Sequence, residues 1–149
     1  MLFDLTACVS PDSWTPPAPT TVYNAYTFTQ DFTSACGHGQ HVVWREFDWQ
    51  AQIPATASID FSAQTADTSG TLGSAQSVSV AHATSTTALP AWDAALLDTK
   101  TGGVFAAASP AVVSKNLLRI SITLNPTTDK KASPTLNSWK VQYDCVDAE

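Results

Sequence analysis

The stretch from Asn116 to Asp147, NLLRISITLNPTTDKKASPTLNSWKVQYDCVD, decides the fold class. Leu118, Ile120, Ile122 and Leu124 alternate with polar residues, and so do Trp139, Val141, Tyr143 and Cys145. A side-chain period of two belongs to a strand with one buried face, because successive Cβ atoms point to opposite sides of a sheet. Between the runs lie Asn125-Pro126, Asp129 and Ser133-Pro134, residues that open turns or are barred from strand interiors. The spacing predicts a pair of half-buried strands that close the chain as an antiparallel sheet.

Composition agrees. The chain has 149 residues, enough for one domain with a core of its own, and only 13% of them are charged, about half the usual share. Ser and Thr number 35, so the polarity is mostly hydroxyl, which suits strands with exposed faces and turns. A net charge of -6 with seven scattered basic residues leaves no cationic patch, which argues against nucleic acid and anionic membranes as partners. No apolar run reaches the roughly 18 residues that cross a bilayer, so no membrane insertion is expected. The start, MLFDLTACVSPDSW, lacks a basic region followed by a sustained apolar one. Export then implies a longer precursor.

Working outward, residues 1–21 contain four prolines from Pro11 onward and read as a linker or strap, with a single β-sandwich domain over 22–149. Strands are expected at 22–29, 41–50, 57–66, 76–82, 104–107, 117–124 and 138–146. Their inward residues would be Tyr26 and Phe28; Val43, Phe47 and Trp49; Ala57, Ile59, Phe61 and Ala63; Val78 and Val80; and the two C-terminal sets. Seven short strands make an all-β antiparallel sandwich, jelly-roll-like in outline. In TTALPAWDAALLDTKTGG, Leu89, Trp92, Leu96 and Leu97 recur at three and four, Pro90 suits a first turn and Gly102-Gly103 follows. This predicts one short helical insertion plugging the sandwich with Trp92. Residues 65–76 are small and polar enough for a mobile loop.

Three cysteines, Cys8, Cys36 and Cys145, allow one disulfide and one leftover thiol, an arithmetic that fits an oxidising compartment. Connectivity stays open. Cys36, His38 and His41 form a C-x-H-x-x-H cluster whose thiolate and imidazoles suit a soft or borderline metal; the competing role of Cys36 is a disulfide. No cofactor is expected otherwise, the alternative being a structural Ca2+ at turn carboxylates such as Asp60, Asp67, Asp93, Asp98, Asp129 and Asp144. The same carboxylates as a glycosidase pair would need a fixed separation that spacing does not supply. No G-x-S-x-G elbow or phosphate-binding glycine loop occurs, and the histidines lack a Ser or Asp context, so an enzyme is not expected.

Five tryptophans are more than usual, and an exposed indole on a sandwich is a platform for a sugar ring. In the expected strand 41–50, Trp44 falls out of phase with Val43, Phe47 and Trp49 and shares a face with Glu46 and Asp48. Trp44, Glu46, Asp48 and Trp92 are therefore the candidate ligand-binding residues. The plain alternative covers Trp44 with the strap around Trp14 or with a neighbouring domain, and puts Trp49, Trp92 and Trp139 in the core.

The strings WREFDWQAQIPATASIDFSAQTADT and NLLRISITLNPTTDKKASPTLNSWKVQYDC resemble a recurring β-sandwich module of large bacterial surface and secreted proteins, among them pilus-tip adhesin-like ones. The match is carried by Trp49, Pro54, Ile59, Phe61, Thr65, Leu118, Arg119, Ile122, Leu124, Ser133, Pro134, Leu136, Val141 and Tyr143, over about two thirds of the chain. The resemblance implies an accessory or adhesive domain at the cell surface. Its partners would be neighbouring domains or subunits, or glycans. The Cys36-Gly37-His38 loop, the Pro-rich start and the Leu89 insertion depart from the pattern.

Overall fold

The computed structural model describes residues 21–84, 91–98 and 102–148. The chain forms β1 (Tyr26–Thr33), β2 (Gln40–Gln52), β3 (Ser58–Ala66), α1 (Ser69–Leu72), β4 (Val78–Thr84), β5 (Asp93–Leu96), α2 (Val104–Ala107), β6 (Leu117–Asn125) and β7 (Thr135–Asp147). Two antiparallel sheets, one ordered β1-β6-β3-β4 and the other β5-β2-β7, pack as a sandwich. The strap, with Cys8, Trp14, Leu89 and Pro90, lies outside the described residues. Among the described residues no helix is long and apolar enough to cross a membrane.

The core is built from most of the inward alternations, but Tyr26 and Tyr143, expected inward, are 64% and 37% exposed, and Val42 is buried in place of the expected Val43. Ile59, Phe61 and Ala63 of β3 face Phe47 and Trp49 of β2 across the sandwich, with Leu118, Ile120 and Ile122 of β6 filling the middle. Phe47, Trp49 and Phe61 form an aromatic triangle with centroids 4.8–5.6 Å apart, the spacing at which tilted rings attract. Trp139 and Val141 pack on this cluster from β7, and Phe28 and Phe32 from β1.

Four further expectations are corrected. The two C-terminal strands form as expected but do not pair with each other: β6 sits between β1 and β3, whereas β7 pairs with β2, so residues 126–134 cross from one sheet to the other. Alternation reveals a strand and its buried side, not its partner. The segment expected to be helical is edge strand β5, because Glu46–Trp49 offer an open β2 edge that Asp93–Leu96 complete. Its exposure then follows period two, with Trp92 and Leu96 outward and Leu97 buried. Conversely, the strand expected at 104–107 is a single helical turn, α2, whose Phe105 is fully buried in the core, whereas Trp92, expected to plug the sandwich, is 44% exposed. Finally, the polar stretch 65–76 is not an open loop: β3 runs to Ala66 and α1 buries Leu72.

Candidate functional site

The phase of β2 changes within the strand. Trp44 lies opposite Tyr143 and Glu46 opposite Gln142, so Arg45 is an extra residue with no counterpart on β7. Such a β-bulge turns two successive side chains to one side and restores the alternation one residue later. Val42 and Trp44 therefore point inward before the bulge, and Phe47, Trp49 and Ala51 after it. Trp44 is 1% exposed and is no sugar platform. Its Nε1 donates to the Lys115 carbonyl at 2.8 Å, its backbone N–H donates to Ser114 Oγ at 3.1 Å, and Tyr143 packs edge-on against its ring. The cover comes from this domain's own residues.

The other three candidates do share one surface, the outer face of β5-β2-β7. Register aligns Glu46 with Leu96 and Gln142, and Asp48 with Ala94 and Lys140. Trp92 continues the outward phase of β5 and is 44% exposed. The Lys140 Nζ stands 4.8 Å from the Trp92 ring centre and 3.5 Å from Asp48 Oδ2, which also accepts from Gln142 Nε2 at 2.7 Å. Asp48, 5% exposed, is thus a covered carboxylate held by one cation and one amide, next to an indole pinned by that same cation. Lys140 and Gln142 were not among the expected residues, though their alternation with Val141 places them outward; only the β2–β7 register brings them to Asp48.

Toward the other end of the same sheet lies a cavity of about 480 Å3, lined by His41, Val43, Arg45, Val146, Asp98 and Val113 among others. It opens where β5 stops: Leu97 and Asp98 still donate backbone hydrogen bonds to the Arg45 and Trp44 carbonyls, and the chain then leaves β2. Its charges are already paired, Arg45 Nε with Asp144 Oδ2 at 2.6 Å, Asp98 with the Ser114 hydroxyl, and Asp147 with Gln40 Nε2 at 3.3 Å. The walls are polar and valine-rich, and their Ser114 hydroxyl donates to Asp98 Oδ2 while accepting from the Trp44 backbone N–H.

The Cys36–His38–His41 metal cluster does not survive as a thiolate site, because Cys36 is joined to Cys145 in a disulfide. The expected turn carboxylates are dispersed: Asp60 bonds His82 and Asn125, Asp67 approaches Lys115, Asp129 takes the Thr127 hydroxyl, and Asp144 takes Arg45. Among the described residues no three His, Cys, Asp or Glu side chains gather to hold a metal ion. The hydrogen bonds from the Thr127 hydroxyl and the Lys131 backbone hold the Asp129 carboxyl below its ordinary pKa, a local turn lock. Comparison of the chain with protein-family models, with curated proteins and with solved structures finds no match.

Proposed function

We propose that the chain is a non-catalytic, extracellular β-sandwich module that sets the spacing of neighbouring domains in an adhesive or assembled surface protein of a bacterium. One observation carries this: the chain comes in at one end of the sandwich and leaves at the other. Register puts Tyr26 beside Leu124 and Ile59, at the end where Gln52 meets Thr135, and puts Asp147 beside Gln40 at the opposite end. The long axis between them is about one β7 length, roughly 40 Å for its 13 residues at about 3.3 Å per residue. A unit joined in this way extends a chain of domains instead of folding it back. The disulfide and the resemblance of the WREFDWQ and S-P-x-L strings to surface-protein modules support the compartment.

The test is replacement within the parent surface protein. An unrelated sandwich of the same end-to-end length should preserve adhesion, whereas a short flexible linker should abolish it; loss of adhesion with both would refute a spacing role. For the compartment, denatured unreduced protein should show one free thiol, and three would refute it.

A second reading is favoured by Trp92. An exposed indole beside Lys140, which also pairs with Asp48, on a face that carries Gln142 and Glu46 farther along, offers one apolar surface and several hydrogen-bonding groups, the chemistry that stacks and orients a neutral pyranose. Binding on a glycan array that disappears in Trp92→Ala would establish it, and a silent array would remove it.

A further inference from the structure

We propose that the Cys36–Cys145 disulfide is a force shunt: under tension it carries the pull from β1 directly into the C-terminal strand and leaves the sandwich core out of the mechanical path. The proposal rests on the module being pulled from its two ends, as a spacer is. Its basis is topology. The covalent path through the oxidised chain runs along Tyr26–Cys36, crosses the sulfur bridge, and continues through Cys145–Asp147. The bridge spans a sequence separation of 109, and every other strand, with nearly all of the buried core, belongs to the bypassed loop.

The part left in the path has almost nothing to give. β1 is already extended, and each of its eight residues is paired with β6. A strand pulled between its own two ends has little slack, because its rise of about 3.3 Å per residue is near the chain's limit of about 3.6 Å. The last turn before the bridge is also anchored, Ser34 N–H to the Asn116 carbonyl at 2.9 Å and Ala35 N–H to Tyr143 Oη at 3.1 Å. On the other side Val146 and Asp147 pair with His41 and Gln40, so only a few residues can peel before Cys145 stops them. Tension therefore meets a taut strand and a covalent bond in series. The hydrogen-bonded ladders of β2, β3, β4 and β6 lie beside that path.

Two-electron reduction by an external dithiol, which leaves Cys36 and Cys145 as thiols and is itself oxidised to a disulfide, changes the mechanics completely. With the bridge open, the same pull passes through the whole loop, and unfolding would release roughly 360–390 Å of contour for the 109-residue separation. The spacer would change from a strut into a tether, at a switch set by the thiol–disulfide state.

The experiment is single-molecule force extension of the full chain in a Cys8→Ser background, held between two marker domains of known unfolding length. Oxidised protein should show no step of its own above roughly 50 Å, the contour of the residues left in the path. With reductant, or in the Cys36→Ser/Cys145→Ser variant, a release near 370 Å should appear, as a step or as slack present at zero force. A step of that length in oxidised protein, or its absence after reduction, would overturn the shunt. Either result stands apart from the domain-replacement test, which addresses spacing in the parent protein and leaves the sulfur path untouched.

Discussion

Truncating two tryptophans separates the interior of this module from its surface. Trp44→Ala removes an indole that is 1% exposed, a loss that costs about 3–5 kcal/mol for a large aromatic in a packed site. It also breaks the 2.8 Å bond from Nε1 to the Lys115 carbonyl, worth about 1 kcal/mol net. The Thr65 hydroxyl lies 3.2 Å from that carbonyl but gives its single proton to the Leu117 carbonyl at 2.8 Å, so the truncation also leaves the Lys115 carbonyl short of a donor. The sum is at least about 4–6 kcal/mol, a large fraction of the roughly 5–15 kcal/mol that holds a domain folded. Trp92→Ala removes a half-exposed ring and its cation–π contact with Lys140, together below about 2 kcal/mol. Urea unfolding of both variants followed by far-UV circular dichroism measures the difference without relying on indole emission. Equal losses, or a larger loss for Trp92→Ala, would refute the inward phase assigned to Trp44 and with it the bulge at Arg45.

Three further outcomes are expected. Removing the disulfide by Cys36→Ala/Cys145→Ala should lower stability by up to about 4.8 kcal/mol, from closure of a loop with a 109-residue separation, as read by the urea midpoint; a loss under about 1 kcal/mol would mean the unfolded chain gains little freedom. Thr65→Val should cost about 1–3 kcal/mol in the same assay, because Thr65 Oγ1 accepts from Lys115 N–H at 2.9 Å and donates to the Leu117 carbonyl at 2.8 Å inside the sandwich. Asp31 accepts hydrogen bonds from Arg119 Nε and Nη2 at 2.7 and 2.8 Å, and these, opposed by partial burial and aided by the guanidinium charge, hold its carboxyl below the ordinary 3.8. A lowered folded pKa contributes stability that is complete above the unfolded value and fades as pH falls through the folded one, so urea midpoints should drop on acidification below about pH 4, and Asp31→Asn should flatten that decline. The pair is solvent-accessible, and salt should shrink the effect.

Much of the fold is legible because β3 and β6 obey a strict period of two. Ile59, Phe61 and Ala63, and Leu118, Ile120 and Ile122, point inward as their spacing requires. The failures have a common origin in partners that a spacing pattern does not contain. β2 reads out of phase at its N-terminal half because Arg45 is inserted relative to β7, and counting residues along one strand does not reveal a mismatch with another. The segment around Trp92 has a helical spacing, yet an open β2 edge decides for a strand, and four residues are too few to sustain a helix without tertiary help. Of the candidate ligand residues, Glu46, Asp48 and Trp92 reach one face because all three lie beyond the bulge or on the strand paired there. Lys140, the residue that ties Asp48 to Trp92, becomes visible only with the register.

The two outer faces of the sandwich differ in a way that bears on where contact with other molecules occurs. On β1-β6-β3-β4 the outward residues are hydroxyls and short polar side chains that satisfy one another: Thr27 with Thr123, Asp31 with Arg119, Asn125 with Ser58 and Asp60, and Asp60 with His82. A face whose polar groups are paired across strands gains little from a partner, since each new bond must first replace an existing one. On β5-β2-β7 the ion pairs are interrupted by Trp92 at 44% and Leu96 at 47% exposure, apolar area that remains in water in the isolated module. Burying such area is favourable in proportion to its extent, at about 25 cal/mol per Å2. The hydroxyl face therefore suits solubility and the indole face suits contact. If the proposed spacer also grips a partner, Trp92 offers that contact on the sheet that carries Cys145, and the contact would share that sheet with the proposed tension path.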